Sequence, residues 1–90
     1  MRRFHIFLKG KVQGIGLRYH VRKKAESLGL TGWVRNLDNG SVEINAEGGD
    51  ESIKEFLAWL EKGVPEADVE KITAKEEKPK KEQGSFEIVY

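Results

Sequence analysis

Three glycines and an arginine separate a short apolar stretch from an amphipathic segment in the fragment GKVQGIGLR, Gly10 to Arg18. Gly10, Gly14 and Gly16 can adopt positive φ without steric cost, so consecutive backbone N–H groups can turn toward a single anion. A helix that begins near Arg18 adds its positive end, and the guanidinium adds a rigid fork of donors. The fragment therefore predicts a strand, a phosphate-binding loop and a helix, in that order.

The charges are unevenly distributed along the chain. Residues 1–24 contain eight basic and no acidic side chains, and the other 66 residues contain eight basic and fifteen acidic ones, so the net charge of +1 divides into +8 and −7. A basic end favours an anionic ligand, although most single lysines in such a segment are solvated or paired after folding. Arg18 stands next to the glycine loop, and we expect it to bind the anion.

The length and the composition exclude several classes of protein. Ninety residues can bury one modest core, so we expect residues 1–90 to form a single domain. The chain has no cysteine, which excludes a disulfide framework and a thiolate nucleophile. His5 and His20 are fifteen positions apart, so we expect neither a metal site nor a cofactor.

Composition also bears on where the protein works. No apolar run approaches the length of a membrane span, and residues 1–10 are too short and too charged for a signal peptide. We therefore expect a cytoplasmic protein with no membrane partner. Lys and Glu account for 23 of the 90 residues, and Asn and Gln for five, a bias typical of thermophilic proteins that predicts a thermostable chain.

The spacing of apolar residues predicts a strand and a helix on either side of the glycine loop. Phe4, Ile6 and Leu8 occupy alternate positions, which is typical of a half-buried strand. An amphipathic helix follows the loop, and Gly29 can end it. Its apolar positions are Leu17, Val21, Ala25 and Leu28.

Asn39-Gly40 predicts a hairpin between a second strand over residues 31–36 and a third strand. Both residues tolerate the positive φ that a tight turn requires. The apolar positions of the third strand alternate as Val42, Ile44 and Ala46.

A second amphipathic helix follows the hairpin. Its start is predicted either at Asp50 or at a capping box from Ser52 to Glu55. Gly63 is predicted to end it, with Pro65 beyond. Its apolar positions are Ile53, Phe56, Leu57 and Leu60.

Two short strands near residues 69–74 and 86–90 complete the pattern, and the charged stretch Lys75 to Gly84 is predicted to be a solvated turn or a protruding hairpin end. The order is βαββαβ, with a possible extra C-terminal strand. Two helices on one face of an antiparallel sheet define the ferredoxin-like α/β sandwich of the α+β class. Enzymes, RNA-binding proteins and metal chaperones share this architecture, so the fold alone does not decide the function.

A second motif, GWVRNLDNGSVE, covers residues 32–43. Together with the glycine loop it resembles the two signatures of the acylphosphatase family, a G-x-V-Q-G-V-type loop that ends in Arg and a G-W-V-R-N strand that leads to a D-G turn and V-E. Both motifs have the order and spacing of the family, so the resemblance covers essentially the whole chain. The matching positions are Gly10, Val12, Gln13, Gly14, Arg18, Gly32, Trp33, Val34, Arg35, Asn36, Gly40, Val42 and Glu43.

The sequence departs from the family pattern at two positions. Leu17 stands where the family usually has an aromatic residue, and Asn39 stands where it usually has Asp. Neither change removes a group that the resemblance assigns to catalysis. Leu17 is expected to alter packing under the loop, and Asn-Gly is at least as good a hairpin turn as Asp-Gly.

The resemblance implies hydrolysis of acyl phosphates to a carboxylate and inorganic phosphate. In that reading Arg18 binds the phosphoryl group and Asn36 positions the attacking water. The partners it implies are a small-molecule acyl phosphate and inorganic phosphate, and we expect a monomer that uses no metal. The substrate-binding residues it implies are Gln13, Gly14, Ile15, Gly16, Leu17 and Arg18.

Other residues of the two motifs have structural interpretations. Arg35 and Trp33 lie on the strand face opposite to Asn36, where an ion pair and packing are the expected roles. Gln13 is expected to brace the loop with side-chain hydrogen bonds. Outside the motif, an asparagine at a strand end such as Asn36 is more often a turn former that bonds its own backbone.

The alternative function is a phosphate- or RNA-binding module without catalysis. The basic residues 1–24 could follow a phosphate backbone. However, the third predicted strand, SVEINAE, has no aromatic residue on which bases could stack, which disfavours nucleic acid as a partner. A regulatory domain that resembles acylphosphatases and binds a phosphorylated group without hydrolysing it is also left open.

Overall fold

The computed structural model describes residues 1–14, 16–64, 67–81 and 84–90. It contains the predicted elements in the predicted order, with the extra C-terminal strand. The strands are β1 (Arg2–Lys11), β2 (Thr31–Asn36), β3 (Val42–Gly48), β4 (Asp68–Glu77) and β5 (Phe86–Val89), and the helices are α1 (Leu17–Ser27) and α2 (Asp50–Lys62). The α+β sandwich is therefore confirmed.

All five strands form one sheet in the order β4-β1-β3-β2-β5. Four of them pair antiparallel, whereas β5 pairs with β2 in parallel. The prediction of an antiparallel sheet is thus wrong for this one pair. Because β4 and β5 lie at opposite edges, the chain between them must cross the sheet, and β5 then starts at the end of the sheet where β2 also starts.

The core lies between one face of the sheet and the two helices. Helix α1 packs near β2 and β5, and α2 packs near β1 and β3. The buried apolar strand residues of this face include the alternating positions predicted for β1 and β3, together with Val34 of β2 and Phe86 of β5. They are Phe4, Ile6, Leu8, Val34, Val42, Ile44, Ala46 and Phe86.

Both helices end at the predicted glycines. Gly29 has φ 70° and Gly63 has φ 110°, conformations that residues with a Cβ rarely adopt. After α1 the backbone N–H of Leu30 donates to the carbonyl of Ala25 at 2.9 Å, which completes a Schellman motif and satisfies a carbonyl at the helix end. The predicted stop at Pro65 lies outside the described residues.

Helix α2 begins at Asp50, one of the two predicted starts, but Asp50 does not cap it. Gly49 is the N-cap, and no side chain among the described residues caps the helix. The carboxylate of Asp50 is already engaged, since Oδ1 accepts from Arg2 at 2.8 Å and Oδ2 pairs with Lys54 at 3.0 Å. The capping box from Ser52 to Glu55 lies inside the helix because the helix begins directly after β3.

The predicted hairpin between β2 and β3 is confirmed. The backbone N–H of Leu37 donates to the carbonyl of Ser41 at 2.9 Å, so five residues form the connection. Gly40 has φ 91°, whereas Asn39 does not adopt positive φ. Asn39 instead uses its side-chain oxygen, which accepts from the Ser41 backbone N–H at 3.0 Å, as in an Asx turn.

The described residues of the stretch from Lys75 to Gly84 are exposed, as predicted, but the stretch is not a free turn or hairpin end. Residues 75–77 belong to β4, and the next residues fold against the sheet face opposite to the helices. The backbone N–H groups of Lys80 and Lys81 donate to the Glu47 carboxylate at 2.7 and 2.8 Å. Arg3 donates to the same carboxylate at 3.1 Å. A carboxylate on β3 therefore anchors this connection.

Glu47 is fully buried and Arg3 is 3% exposed. Burial on its own would raise the pKa of Glu47, but hydrogen bonds from the Lys80 backbone, from Arg3 and from the Lys81 backbone outweigh burial and lower the pKa below its ordinary value of 4.5. The ionised form of Glu47 is therefore the one that stabilises the fold.

Replacing Gly32 by alanine is expected to destabilise the protein by at least about 2 kcal/mol. Gly32 has φ 138°, and a Cβ atom there would lie 1.8 Å from the carbonyl oxygen of Asn45 on the neighbouring strand. Chemical denaturation of Gly32→Ala measures the loss. Gly49→Ala is the matched control, because Gly49 has φ −64° and a Cβ there meets no atom within 4 Å. Equal stability of the two variants would contradict the expectation.

Replacing Glu47 by glutamine is expected to destabilise the protein by about 3 kcal/mol near neutral pH, since Arg3 loses its buried partner. Because the folded pKa of Glu47 lies below its unfolded value, its contribution is complete above about pH 4.5 and is lost as the pH falls through the folded pKa. Denaturation of wild type and Glu47→Gln at several pH values measures this. A difference in free energy of unfolding that does not shrink in acid would contradict it.

Candidate active site

A pocket of about 220 Å³ opens at one end of the sheet, where β1, β2 and β5 all end and α1 begins. The two sequence motifs meet here, because the first supplies the loop and the helix start and the second supplies the last residue of β2. The lining residues are Val12, Gly14, Gly16, Leu17, Arg18, Tyr19, Asn36, Ile88 and Tyr90.

The start of α1 provides free backbone donors. Gly16 is the N-cap, with φ 74°, and no side chain caps the helix. The first turn of an α-helix has N–H groups without intrahelical acceptors, and the helix dipole makes them attractive to an anion. No acidic residue lies in the first turn of α1, whereas α2 carries Asp50 and Glu51 there. An anion is therefore favoured at α1 and disfavoured at α2.

Arg18 differs from the other arginines in its partners. Arg2, Arg3, Arg22 and Arg35 each form an ion pair with a carboxylate. Within residues 1–14, 16–64, 67–81 and 84–90, no carboxylate pairs with Arg18. Its guanidinium carbon lies 4.7 Å from the centroid of the Tyr90 ring. The positive charge in the pocket is thus not neutralised by any side chain that the structure describes.

Gln13 holds the loop in place from outside the pocket. Its side-chain amide donates to the backbone carbonyls of Leu37 and Ser41, both at 2.8 Å. These hydrogen bonds confirm the bracing interpretation, and they connect the loop to the chain that directly follows Asn36. The spacing between Arg18 and Asn36 therefore depends on Gln13.

Asn36 ends β2, opposite Val42 of β3, and is partly buried. Its side chain forms no hydrogen bond with the part of the chain that the structure describes, so the turn-forming alternative does not apply to it. Asn39 has that role in the connection that follows.

The glycines of the predicted substrate loop are open to the pocket. A Cβ at Gly14 or at Gly16 would meet no described atom within 4 Å. Leu17 also lines the pocket and is buried under the loop. Ile15 lies outside the described residues, so its predicted role stays a prediction.

Sequence reasoning missed the residues that β5 contributes. In the parallel pairing, Val34 of β2 lies opposite Ile88 and Arg35 lies opposite Val89, so the next residue, Tyr90, falls beside the end of β2. The sequence carries no local signal for this, because β5 is four residues long and its partner is more than fifty positions away.

The opposite face of β2 has no part in the pocket. Arg35 donates to Glu43 at 2.5 Å, which confirms the predicted ion pair, and Trp33 packs edge-on to His5 with ring centroids 6.2 Å apart. Burial alone would raise the pKa of Glu43, but hydrogen bonds from Arg35 and His5 lower it.

Among the described residues there is no group of three or more His, Cys, Asp or Glu side chains placed to hold a metal ion. Among these same residues no helix has the length and apolar character needed to cross a membrane.

The five-stranded sheet with two helices on one face defines the class as an α+β sandwich. At one end of that sheet the pocket combines the start of α1 with an arginine that pairs with no described carboxylate. Comparison with known proteins gives the family. The acylphosphatase family model matches residues 4–88, so the chain belongs to the acylphosphatase family. This confirms the predicted class of enzyme, a hydrolase of acyl phosphates.

Individual relatives agree with this assignment. The acylphosphatase of Bacillus licheniformis is 44% identical over the full length of both chains. The crystal structure of acylphosphatase from Bacillus subtilis is 38% identical, covers 100% of both chains and has a TM-score of 0.93. The T. kodakarensis HypF structure is 34% identical with a TM-score of 0.83, but the match covers all of this chain and only 12% of that one.

Replacing Gln13 by alanine is expected to lower the free energy of unfolding by about 1–2 kcal/mol, because two hydrogen bonds to backbone carbonyls are lost. It is also expected to weaken the binding of inorganic phosphate, since the loop is no longer attached to the end of β2. Chemical denaturation and calorimetric titration with phosphate measure the two effects. Stability lost with unchanged phosphate affinity would contradict the role assigned to the brace.

Proposed function

We propose that this chain hydrolyses acyl phosphates without a metal ion, with Arg18 binding the phosphoryl group and Asn36 positioning the attacking water. One observation carries the proposal. Arg18 lacks a carboxylate partner among the described residues, and it shares a pocket of about 220 Å³ with Asn36 and with the start of α1.

The chemistry of the substrate explains why few groups suffice. An acyl phosphate is a mixed anhydride, and its leaving group is a carboxylate, a weak base that does not need a proton from the protein. The proton of the attacking water can pass to a phosphate oxygen as the new P–O bond forms. What the protein supplies is positioning and electrostatic stabilisation, which dominate phosphoryl transfer.

Arg18 and the loop have the groups for this task. The guanidinium offers planar paired donors to two phosphate oxygens. The first-turn N–H groups of α1 offer further donors at the positive end of the helix dipole. Leu17, the last residue of the predicted substrate loop, is the first residue of α1 and contributes one of these N–H groups, while the side chain of Gln13 is occupied by the brace.

Asn36 suits the placement of water. Its amide is neutral and has one carbonyl acceptor and two N–H donors, so it can orient a water molecule without titrating. The side chain is not engaged by any residue that the structure describes. Both features support Asn36 as the residue that holds the nucleophile.

The rest of the proposal concerns the specificity for the acyl group, the cellular location, the oligomeric state and the thermostability. The remaining lining residues include the apolar side chains of Val12 and Ile88 and the ring of Tyr90. These side chains offer few polar partners to an acyl group, so we expect contacts with the phosphate to dominate and the acyl group to be loosely specified. We propose a single-domain cytoplasmic monomer. The abundance of Lys and Glu supports a thermostable one.

A binding module without catalysis is the competing function. The HypF match shows that the same fold also occurs as a small part of a longer chain, which leaves the function of the fold open. Against an RNA-binding role, four of the basic residues in the first 24 are engaged in ion pairs, which breaks up a continuous basic surface. These four are Arg2, Arg3, Arg22 and Lys24.

Hydrolysis of benzoyl phosphate in the presence of a chelator tests the proposal. Asn36→Ala is expected to lower kcat by about a hundredfold, the usual effect of removing one preorganised electrostatic contact, and Arg18→Ala by more, because it carries a full charge. Arg22→Ala is the matched control, since Arg22 lies one turn further along α1, pairs with Glu26 and does not line the pocket.

The outcomes separate the two functions. Turnover that resists the chelator and collapses in the two folded site variants but not in Arg22→Ala would support the enzyme and both roles. Phosphate binding without turnover by the wild-type protein would leave the binding module. Turnover that disappears in chelator and returns with a divalent metal would contradict the metal-independent mechanism.

A further inference from the structure

Four arginines in this structure lie over aromatic rings. The distances from the guanidinium carbon to the ring centroid are 5.1 Å for Arg2 over Phe4, 4.7 Å for Arg18 over Tyr90, 5.8 Å for Arg22 over Tyr19 and 5.3 Å for Arg35 over Trp33. The shortest of these contacts is the one in the active-site pocket.

The contact between Arg18 and Tyr90 also differs from the other three in that no described carboxylate pairs with the arginine. Arg2, Arg22 and Arg35 are each held by a carboxylate in addition to the ring. Among the described residues, Arg18 contacts the Tyr90 ring and pairs with no carboxylate. The Tyr90 ring is thus the described side chain that is placed to orient this guanidinium.

A ring and a carboxylate orient an arginine in different ways. A carboxylate takes up the N–H donors of the guanidinium and neutralises its charge, so it competes with a phosphate for both. An aromatic face attracts the cation through its quadrupole and contacts the flat side of the guanidinium. The N–H donors at the edge stay free, and so does the charge.

We propose that Tyr90 is a positioning residue that holds the Arg18 guanidinium ready for phosphate without competing for it. The inference rests on the role of Arg18 under the proposed function. Tyr90 acts through Arg18 and is not itself a catalytic residue.

The position of Tyr90 follows from the register in which β5 pairs with β2. The parallel register sets Arg35 opposite Val89, so the residue after Val89 falls at the end of β2 next to Asn36. Tyr90 is 95% exposed, so this contact is a surface one. Cation–π contacts at exposed sites are weak, and removing this one is expected to weaken phosphate binding by about two- to fivefold.

Three variants at one position test the inference, with the affinity for inorganic phosphate measured by calorimetric titration. Tyr90→Phe keeps the ring and is expected to retain the affinity. Tyr90→Leu keeps an apolar side chain without the ring and is expected to lose about two- to fivefold. Tyr90→Glu replaces the neutral partner with a carboxylate and is expected to lose more than Tyr90→Leu, and to recover part of that loss in high salt.

A double-mutant cycle separates positioning from a general structural effect. In the wild-type background Tyr90→Leu is expected to raise the KM for benzoyl phosphate with a smaller change in kcat. In the Arg18→Ala background it is expected to have no effect on the residual kcat/KM. Thermal unfolding of Tyr90→Leu and Tyr90→Phe shows whether both variants fold as well as the wild type.

Unchanged phosphate affinity in Tyr90→Leu would overturn the inference, as would an equal loss in Tyr90→Phe or a loss that persists without Arg18. A protein that binds phosphate through Arg18 with the expected pattern at Tyr90, yet hydrolyses no acyl phosphate, would refute the proposed function and leave the inference standing. The titration and the kinetic assay therefore report the two failures separately.

Discussion

The buried carboxylate of Glu47 is the interaction on which the rest of this structure depends. The chain must cross from β4 at one edge of the sheet to β5 at the other, and the backbone N–H groups of Lys80 and Lys81 bind Glu47 on the way. Arg3 balances its charge from β1. A buried ion pair of this kind contributes little net stability compared with apolar packing, but breaking it is costly, so it selects one path for the connection.

The course of this connection determines which residues line the proposed active site. With β5 held next to β2 in parallel, the ends of both strands reach the loop after β1 and the start of α1. The loop is tied back to the connection after β2 by Gln13. Arg18 and Asn36 thus come from separate parts of the sequence, and their spacing is fixed by hydrogen bonds of backbone and side chains that lie outside the pocket.

The sequence predicted what depends on local periodicity and on the motifs. The helix positions from Leu17 to Ala25 and the strand over residues 31–36 are confirmed because each follows from neighbouring residues. The start of α2 at Asp50 is confirmed, but Gly49 is its N-cap, and Asp50 instead accepts a hydrogen bond from Arg2, which is distant in sequence. The parallel pairing of β5 with β2 was missed because these strands are also distant in sequence, and the position of Tyr90 was missed with it. The roles proposed for Arg18 and Asn36 came from the family resemblance, and spacing alone would not have assigned them.

The assembly of the pocket from both ends of the chain bears on how the protein folds. The site needs the loop after β1, the end of β2 and the segment that follows β5, so no partial structure made of the first three or four elements can hold the whole site. Strand β1 also pairs with β3 and β4, which follow it only after intervening helices and strands, and such non-local pairing slows folding. The appearance of enzymatic turnover during refolding would therefore report the moment at which the distant segments of the pocket have all come together, whatever their order.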